Sequence, residues 1–178
     1  MSDRDELRRL IQDTLRLEVL KPVAYGDGSC EKFLLPRRPV IADGLQVFID
    51  AVEQTPDEDY TVDLETGGLT FEAAPEEGAE ITATYHFAAL SDAELDSCLT
   101  RNPGSIYLAA AEAIQMLLAG RGRLINFAKA DSKVDMKAVR DNLMSLAEHY
   151  RRLGASASGP RVDSFDYPPA QSGDGQEG

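Results

Sequence analysis

A single change of hydrophobic period divides the chain. From Leu17 to Phe87 apolar residues recur at every second position, and from Ser91 onward they recur every third or fourth. The first period lays one face of a strand on a core; the second lays one stripe of a helix on it. A chain that runs through one pattern and then the other keeps its strands and helices apart, which predicts an α+β fold with an antiparallel sheet.

In the strand half, Leu45, Val47 and Ile49 alternate with Gln46, Phe48 and Asp50. Tyr60 and Val62 form a short strand, Gly67-Gly68 a turn, and Leu69 and Phe71 the start of the next strand. Pro75-Glu76-Glu77-Gly78 is a second turn before Ile81, Ala83, Tyr85 and Phe87. Stretches 17–25 and 31–35 add strands around the turn Gly26-Asp27-Gly28, and Pro36, Pro39 and Asp43-Gly44 bracket a loop. Short strands cut by Gly and Pro predict a small antiparallel sheet or sandwich.

In the helical half, Ser91 with Glu94 is a capping box, flanked by Leu90 and Leu95 as a hydrophobic staple. Asn102-Pro103-Gly104 ends that helix. A second, over 105–119, is rich in small residues (Ala109, Ala110, Ala111, Ala113) until Gly120 and Gly122 stop it. Residues 123–130 either continue as helix or cross over as loop. Ser132 with Asp135 opens a last helix, on which Met136, Val139, Leu143, Leu146, Tyr150 and Leu153 form a seam. That seam faces either the chain's own core or a neighbouring subunit. At the other end, Ser2 or Asp3 caps a helix over 3–16 with Leu7, Leu10, Ile11 and Leu15 on one face. It is too short to stand alone and must dock.

Four regions follow: an N-terminal helix over 1–16 joining the helical domain, an antiparallel β domain over 17–89, a helical domain over 90–154, and an extended arm over 155–178. The arm is polar, yet it carries Val162, Phe165, Tyr167, Pro168 and Pro169, a composition suited to ordering on a partner.

Charge sharpens the functional reading. The net charge is −13, and residues 43–100 hold fifteen Asp or Glu with no Lys or Arg. Phosphate contacts need cations, so that block does not bind nucleic acid; it is a solvated surface or one from which DNA is repelled. The start of the chain has no apolar leader and no run spans a bilayer, so the chain is expected to be soluble and intracellular. Cys30 and Cys98 are far apart in sequence and are expected to stay reduced. His86 and His149 lack metal-ligand spacing, and no nucleophile elbow or phosphate loop occurs. Asp57-Glu58-Asp59 lacks the alternation of a calcium loop. The expectation is a protein without enzymatic activity, cofactor or metal.

Two stretches resemble a known family. YTVDLETGGLTFEAAPEEGAEITATY, from Tyr60 to Tyr85, is similar to a small β module common in tailed-phage virion proteins. LSDAEL from Leu90, YLAAAEAIQMLL from Tyr107, DSKVD from Asp131 and NLMSLAEHYRR from Asn142 resemble the helical domain of phage head-to-tail connector (adaptor, neck) proteins. Lys133 between Ser132 and Val134 departs from the family's lead into the last helix. The resemblance covers residues 60–152. It implies a homo-oligomeric ring of about twelve subunits under the portal protein, in the neck of the virion, assembled in the host cytoplasm. Such a ring extends the DNA channel and receives a tail or second neck protein. The C-terminal arm would reach the portal through Arg161, Val162, Phe165, Tyr167 and Pro168, and the N-terminal helix would make the β domain an insertion. Asp57, Glu58, Asp59 and Glu65 would form a DNA-repelling surface. Another tail-completion or baseplate protein on the same β unit, and a ligand-binding β module, are the alternatives.

Overall fold

The computed structural model describes residues 2–120 and 135–157. Over these residues the protein is α+β, with four helices and two antiparallel sheets. Helix α1 spans Asp3–Ile11, and strands β1 to β7 follow as Arg16–Tyr25, Lys32–Leu34, Val40–Ile49, Val52–Glu53, Tyr60–Asp63, Gly68–Phe71 and Glu80–Phe87. Helices α2 (Asp92–Arg101), α3 (Ile106–Ala119) and α4 (Met136–Ala157) complete it.

Each helix begins on a polar cap that supplies acceptors to its orphan N–H groups. Ser2 and Asp5 make a reciprocal capping box at α1, and Ser91 and Glu94 make one at α2. Ser105 accepts from the Leu108 amide at α3, and Asp135 accepts from the amides of Lys137 and Ala138 at α4. Ser132 and the segment 123–130 lie outside the described residues. Helix α1 stops earlier than its apolar spacing predicts. Gln12 turns left-handed at φ 60°, and Leu15, expected on the helix face, is 41% exposed in the connection to β1.

Strands β1, β7, β3 and β4 form one sheet in that order, and β2, β6 and β5 the other. Their inner faces share one core: Val47, Ile81, Ala83 and Tyr85 from the first, Tyr60, Leu69 and Phe71 from the second. This is the sandwich arrangement, held by alternate residues of each strand. The loop expected up to Asp43-Gly44 is shorter than its turn residues suggest. Val40 and Ile41 already pair with Phe87 and His86, and Asp43-Gly44 falls inside β3 where the register slips, with Gly44 at φ 78°. Gly67 closes the β5–β6 turn at φ 73°, and a Cβ there would come within 2.9 Å of the Leu35 carbonyl oxygen.

A second core holds the helices. Leu7 and Ile11 of α1 are buried with Leu90, Leu95 and Cys98, with the alanines of α3, and with Leu143, Ala147 and Tyr150 of α4. The face of α4 that packs here is the expected seam at Met136, Val139, Leu143, Leu146 and Tyr150, and it departs from that seam at the far end of the helix. Ala147 is buried, and Gly154 lies so close to α3 that a Cβ would meet the Leu108 side chain at 2.6 Å, whereas Leu153 is 37% exposed. Small residues let the two helices approach, and the contact turns the larger Leu153 outward.

Candidate functional site

Two features stand out, a buried polar hub where the two cores meet and an acidic cleft at the far end of the sandwich. The hub is built on Asp13, the second residue after α1. Its carboxylate accepts from the amides of Ala89 and Leu90, at 2.9 and 3.0 Å, and from Arg8 Nη1 at 3.0 Å. Arg8 Nη2 donates onward to the Leu90 carbonyl at 3.1 Å and to Asp92 at 2.7 Å. Arg8 and Asp13 are 7% and 3% exposed. One ion pair therefore ties the end of α1 to the junction between β7 and α2. Burial pushes the Asp13 carboxyl above its ordinary range, against the pull of the Ala89 and Leu90 amides and of Arg8. No sequence motif marks this pair, because its partners lie some eighty residues away in the chain.

The cleft opens between the two sheets, with a volume of about 480 Å³. Ile49, Phe71 and Pro75 give it an apolar floor, and Asp50, Glu58, Asp59, Glu72 and Glu76 stand around it. Two of these acids also hold main-chain amides, Asp59 within its own turn and Asp50 across to the start of β7. Asp59 accepts from the Thr55 amide at 2.7 Å and Asp50 from the Glu80 amide at 2.8 Å. Elsewhere in the sandwich, Asp27 and Asp63 serve turns in the same way. The Cys30 and Ser29 amides hold Asp27 below the usual carboxylate range, and Thr66 does so for Asp63. Beside the cleft, Tyr60 is buried, and its hydroxyl has no hydrogen-bond partner among the described residues. Burial, with Glu53 and Asp57 nearby, pushes that phenol above its ordinary range.

The structure separates the four acids expected to form one surface. Asp57, Glu58 and Asp59 share the turn before β5, with Asp57 at φ 65°. Glu65 lies in the turn after β5, the length of the strand away, where the Asp63 side chain accepts its amide. The first three border the acidic end of the sandwich; Glu65 belongs to the opposite end. The arm residues Arg161, Val162, Phe165, Tyr167 and Pro168 lie outside the described residues. Of the two histidines, His86 touches the Asp43 carbonyl at 3.4 Å and the His149 ring lies against Tyr150. Among the described residues no group of three His, Cys, Asp or Glu is placed to hold a metal ion, and no helix is long and apolar enough to cross a membrane.

The cleft can attract cations and repel phosphates, and the hub can fix the two cores against each other. The chain matches no family model, no curated protein and no solved structure.

Proposed function

We propose that the protein is a structural component of a tailed-phage virion, a head-to-tail connector whose subunits form a ring under the portal and offer a surface to the tail. The observation that carries this reading is the return of α1 to the helical core. Leu7 and Ile11 pack with α2, α3 and α4, while the sandwich between them in sequence has its own core. A helical bundle with an inserted β domain is the arrangement that the resemblance implies. The β5–β7 unit coincides with the Tyr60–Tyr85 stretch that carries the first half of that resemblance. The acidic sandwich supports a role beside DNA without binding it, because carboxylates at the channel keep phosphates moving. On this reading the protein performs no catalysis and needs no cofactor, and the arm expected over 155–178, whose first three residues belong to α4, engages the portal.

Native mass spectrometry of the protein mixed with the portal ring of the same phage tests the proposal. The full chain should add in ring stoichiometry, and a chain ending at Ala157, which keeps all of α4, should not. Failure of the full chain to bind at any concentration would sink the connector reading and favour a tail-completion or baseplate role.

A further inference from the structure

Among the described residues the helical core and the sandwich core share no side chain. The chain passes between them twice, over 12–15 on the way out of α1 and over 88–91 on the way back into α2. Both passages are short, and they lie side by side, because Arg16 of β1 pairs with Phe87 of β7 at the root of the sheet. Two short, adjacent crossings between separate cores have the plan of a hinge, in which a few residues at element ends absorb the turn.

The buried hub sits at the base of both crossings. Asp13 lies in the outgoing passage. Ala89 and Leu90, whose amides it accepts at 2.9 and 3.0 Å, lie in the returning one. From α1, Arg8 donates to Asp13 at 3.0 Å, to the Leu90 carbonyl at 3.1 Å and to Asp92 at 2.7 Å. These bonds clasp one passage to the other, and none of them reaches a strand. From the same root β7 runs to the acidic cleft: Phe87 is two residues from Ala89, and Ala79, just before Glu80, lines the cleft. At about 3.3 Å per residue β7 is a lever of roughly 26 Å, so a small turn at its root is a large displacement at the cleft.

We propose that the two passages form a hinge between the helical bundle and the sandwich, and that the Arg8–Asp13 clasp holds it at one angle. With the clasp closed, the cleft keeps a fixed place relative to α2, α3 and α4. With the clasp open, the outgoing passage is no longer tied to the returning one, and the sandwich turns on its root while both cores stay intact. The device does not depend on the connector reading. A partner that bridges the cleft and the bundle meets a single pose only while the clasp is closed.

Distances between spin labels, measured on the full chain by pulsed electron paramagnetic resonance, test it. Cys30, exposed in the sandwich, takes one label and Met144→Cys, exposed on α4, takes the other; Cys98 is buried and stays. A second pair, Cys30 with Val52→Cys, lies wholly within the sandwich and reports whether that body keeps its fold. The bundle-to-sandwich distance should be narrowly distributed with the hub intact. Asp13→Asn should widen that distribution by more than about 2 Å, the scale of a domain rearrangement, and leave the pair within the sandwich unchanged. A lone buried charge is costly, so the measurement is repeated on Arg8→Met combined with Asp13→Asn, which buries none and is easier to fold; it should widen the same distance. A bundle-to-sandwich distribution that both variants leave unchanged would mean that packing sets the angle, and would overturn the proposal. So would one that is already broad with the hub intact. Broadening of the pair within the sandwich would overturn it as well, since the hub would then support the fold of the sandwich and not its pose.

Discussion

Arg8 and Asp13 meet at 3.0 Å where the two cores join, and each also reaches the main chain at Ala89 or Leu90. The pair does what no apolar contact there could: it fixes the direction in which β1 leaves α1 and in which α2 leaves β7. Removing one partner from a buried ion pair leaves the other charge and its amides uncompensated. Asp13→Ala should therefore destabilise the protein by about 3–5 kcal/mol, read as a lower midpoint in urea unfolding. Asp92→Asn should cost less, because Asp92 is partly solvated and Arg8 keeps Asp13.

The same carboxyl sets a pH dependence whose sign is unusual for an aspartate. Its native pKa is raised by burial, so the folded protein holds this proton more tightly than the unfolded chain does. The contribution is complete below the unfolded carboxylate range, near pH 4, and is lost as pH rises through the native pKa. Asp5, Asp27 and Asp63 are held below their ordinary range by Ser2, by the Cys30 and Ser29 amides and by Thr66, and act in the opposite sense. They cancel in a comparison with Asp13→Asn. The stability difference between the wild type and that variant should shrink as pH rises from about 4. A difference that grows instead would show that the amides and Arg8 outweigh burial.

Capping and turns were legible from the sequence because they depend on residues three or four apart. Ser91 with Glu94 and the turns at Gly67 and Gly78 are local chemistry, and they lie where spacing put them. The end of α1 was not legible. Leu15 continues the apolar period of the helix, but Asp13 is drawn to amides that follow the whole sandwich in the chain. The α4 seam holds from Met136 to Tyr150, and only its last position, Leu153, turns outward, for a related reason. Apolar spacing weighs large side chains, whereas Ala147 and Gly154 make the close contact with α3 because they are small. The acidic block carries a double meaning: Asp59 and Asp63 close turns and Asp50 holds the Glu80 amide, besides being surface charge. The grouping of Glu65 with Asp57, Glu58 and Asp59 ignored the strand that separates them.

Gly67 offers a test of the sandwich itself. At φ 73° an L side chain is strained, and a Cβ would press on the Leu35 carbonyl at 2.9 Å. The Leu35 amide donates back to the Gly67 carbonyl at 2.9 Å, so the two segments cannot simply separate. Gly67→Ala should lower stability by about 1–3 kcal/mol. Gly78→Ala, where φ is 84° but no atom lies within 4 Å of a Cβ, should cost only the conformational part. Thermal unfolding of the two variants side by side separates the clash from the backbone strain, and equal losses would rule the clash out.

Tyr60 gives a prediction of the opposite sign. Its ring packs against Phe71 at 6.3 Å between centroids and belongs to the sandwich core. Its hydroxyl is buried without a partner among the described residues. A hydroxyl in that state carries the cost of lost hydration with no hydrogen bond to offset it, about 1–3 kcal/mol. Tyr60→Phe keeps the ring and removes the oxygen, so the variant should be as stable as the wild type or more stable by up to about 1 kcal/mol. Tyr85→Phe is the control. There the hydroxyl accepts from the Arg37 amide at 3.1 Å, and its removal should destabilise by about 1 kcal/mol. If Tyr60→Phe instead loses as much as Tyr85→Phe in guanidinium unfolding, the Tyr60 hydroxyl is hydrogen-bonded in solution, and its isolation beside the acidic cleft is no longer a feature of the core.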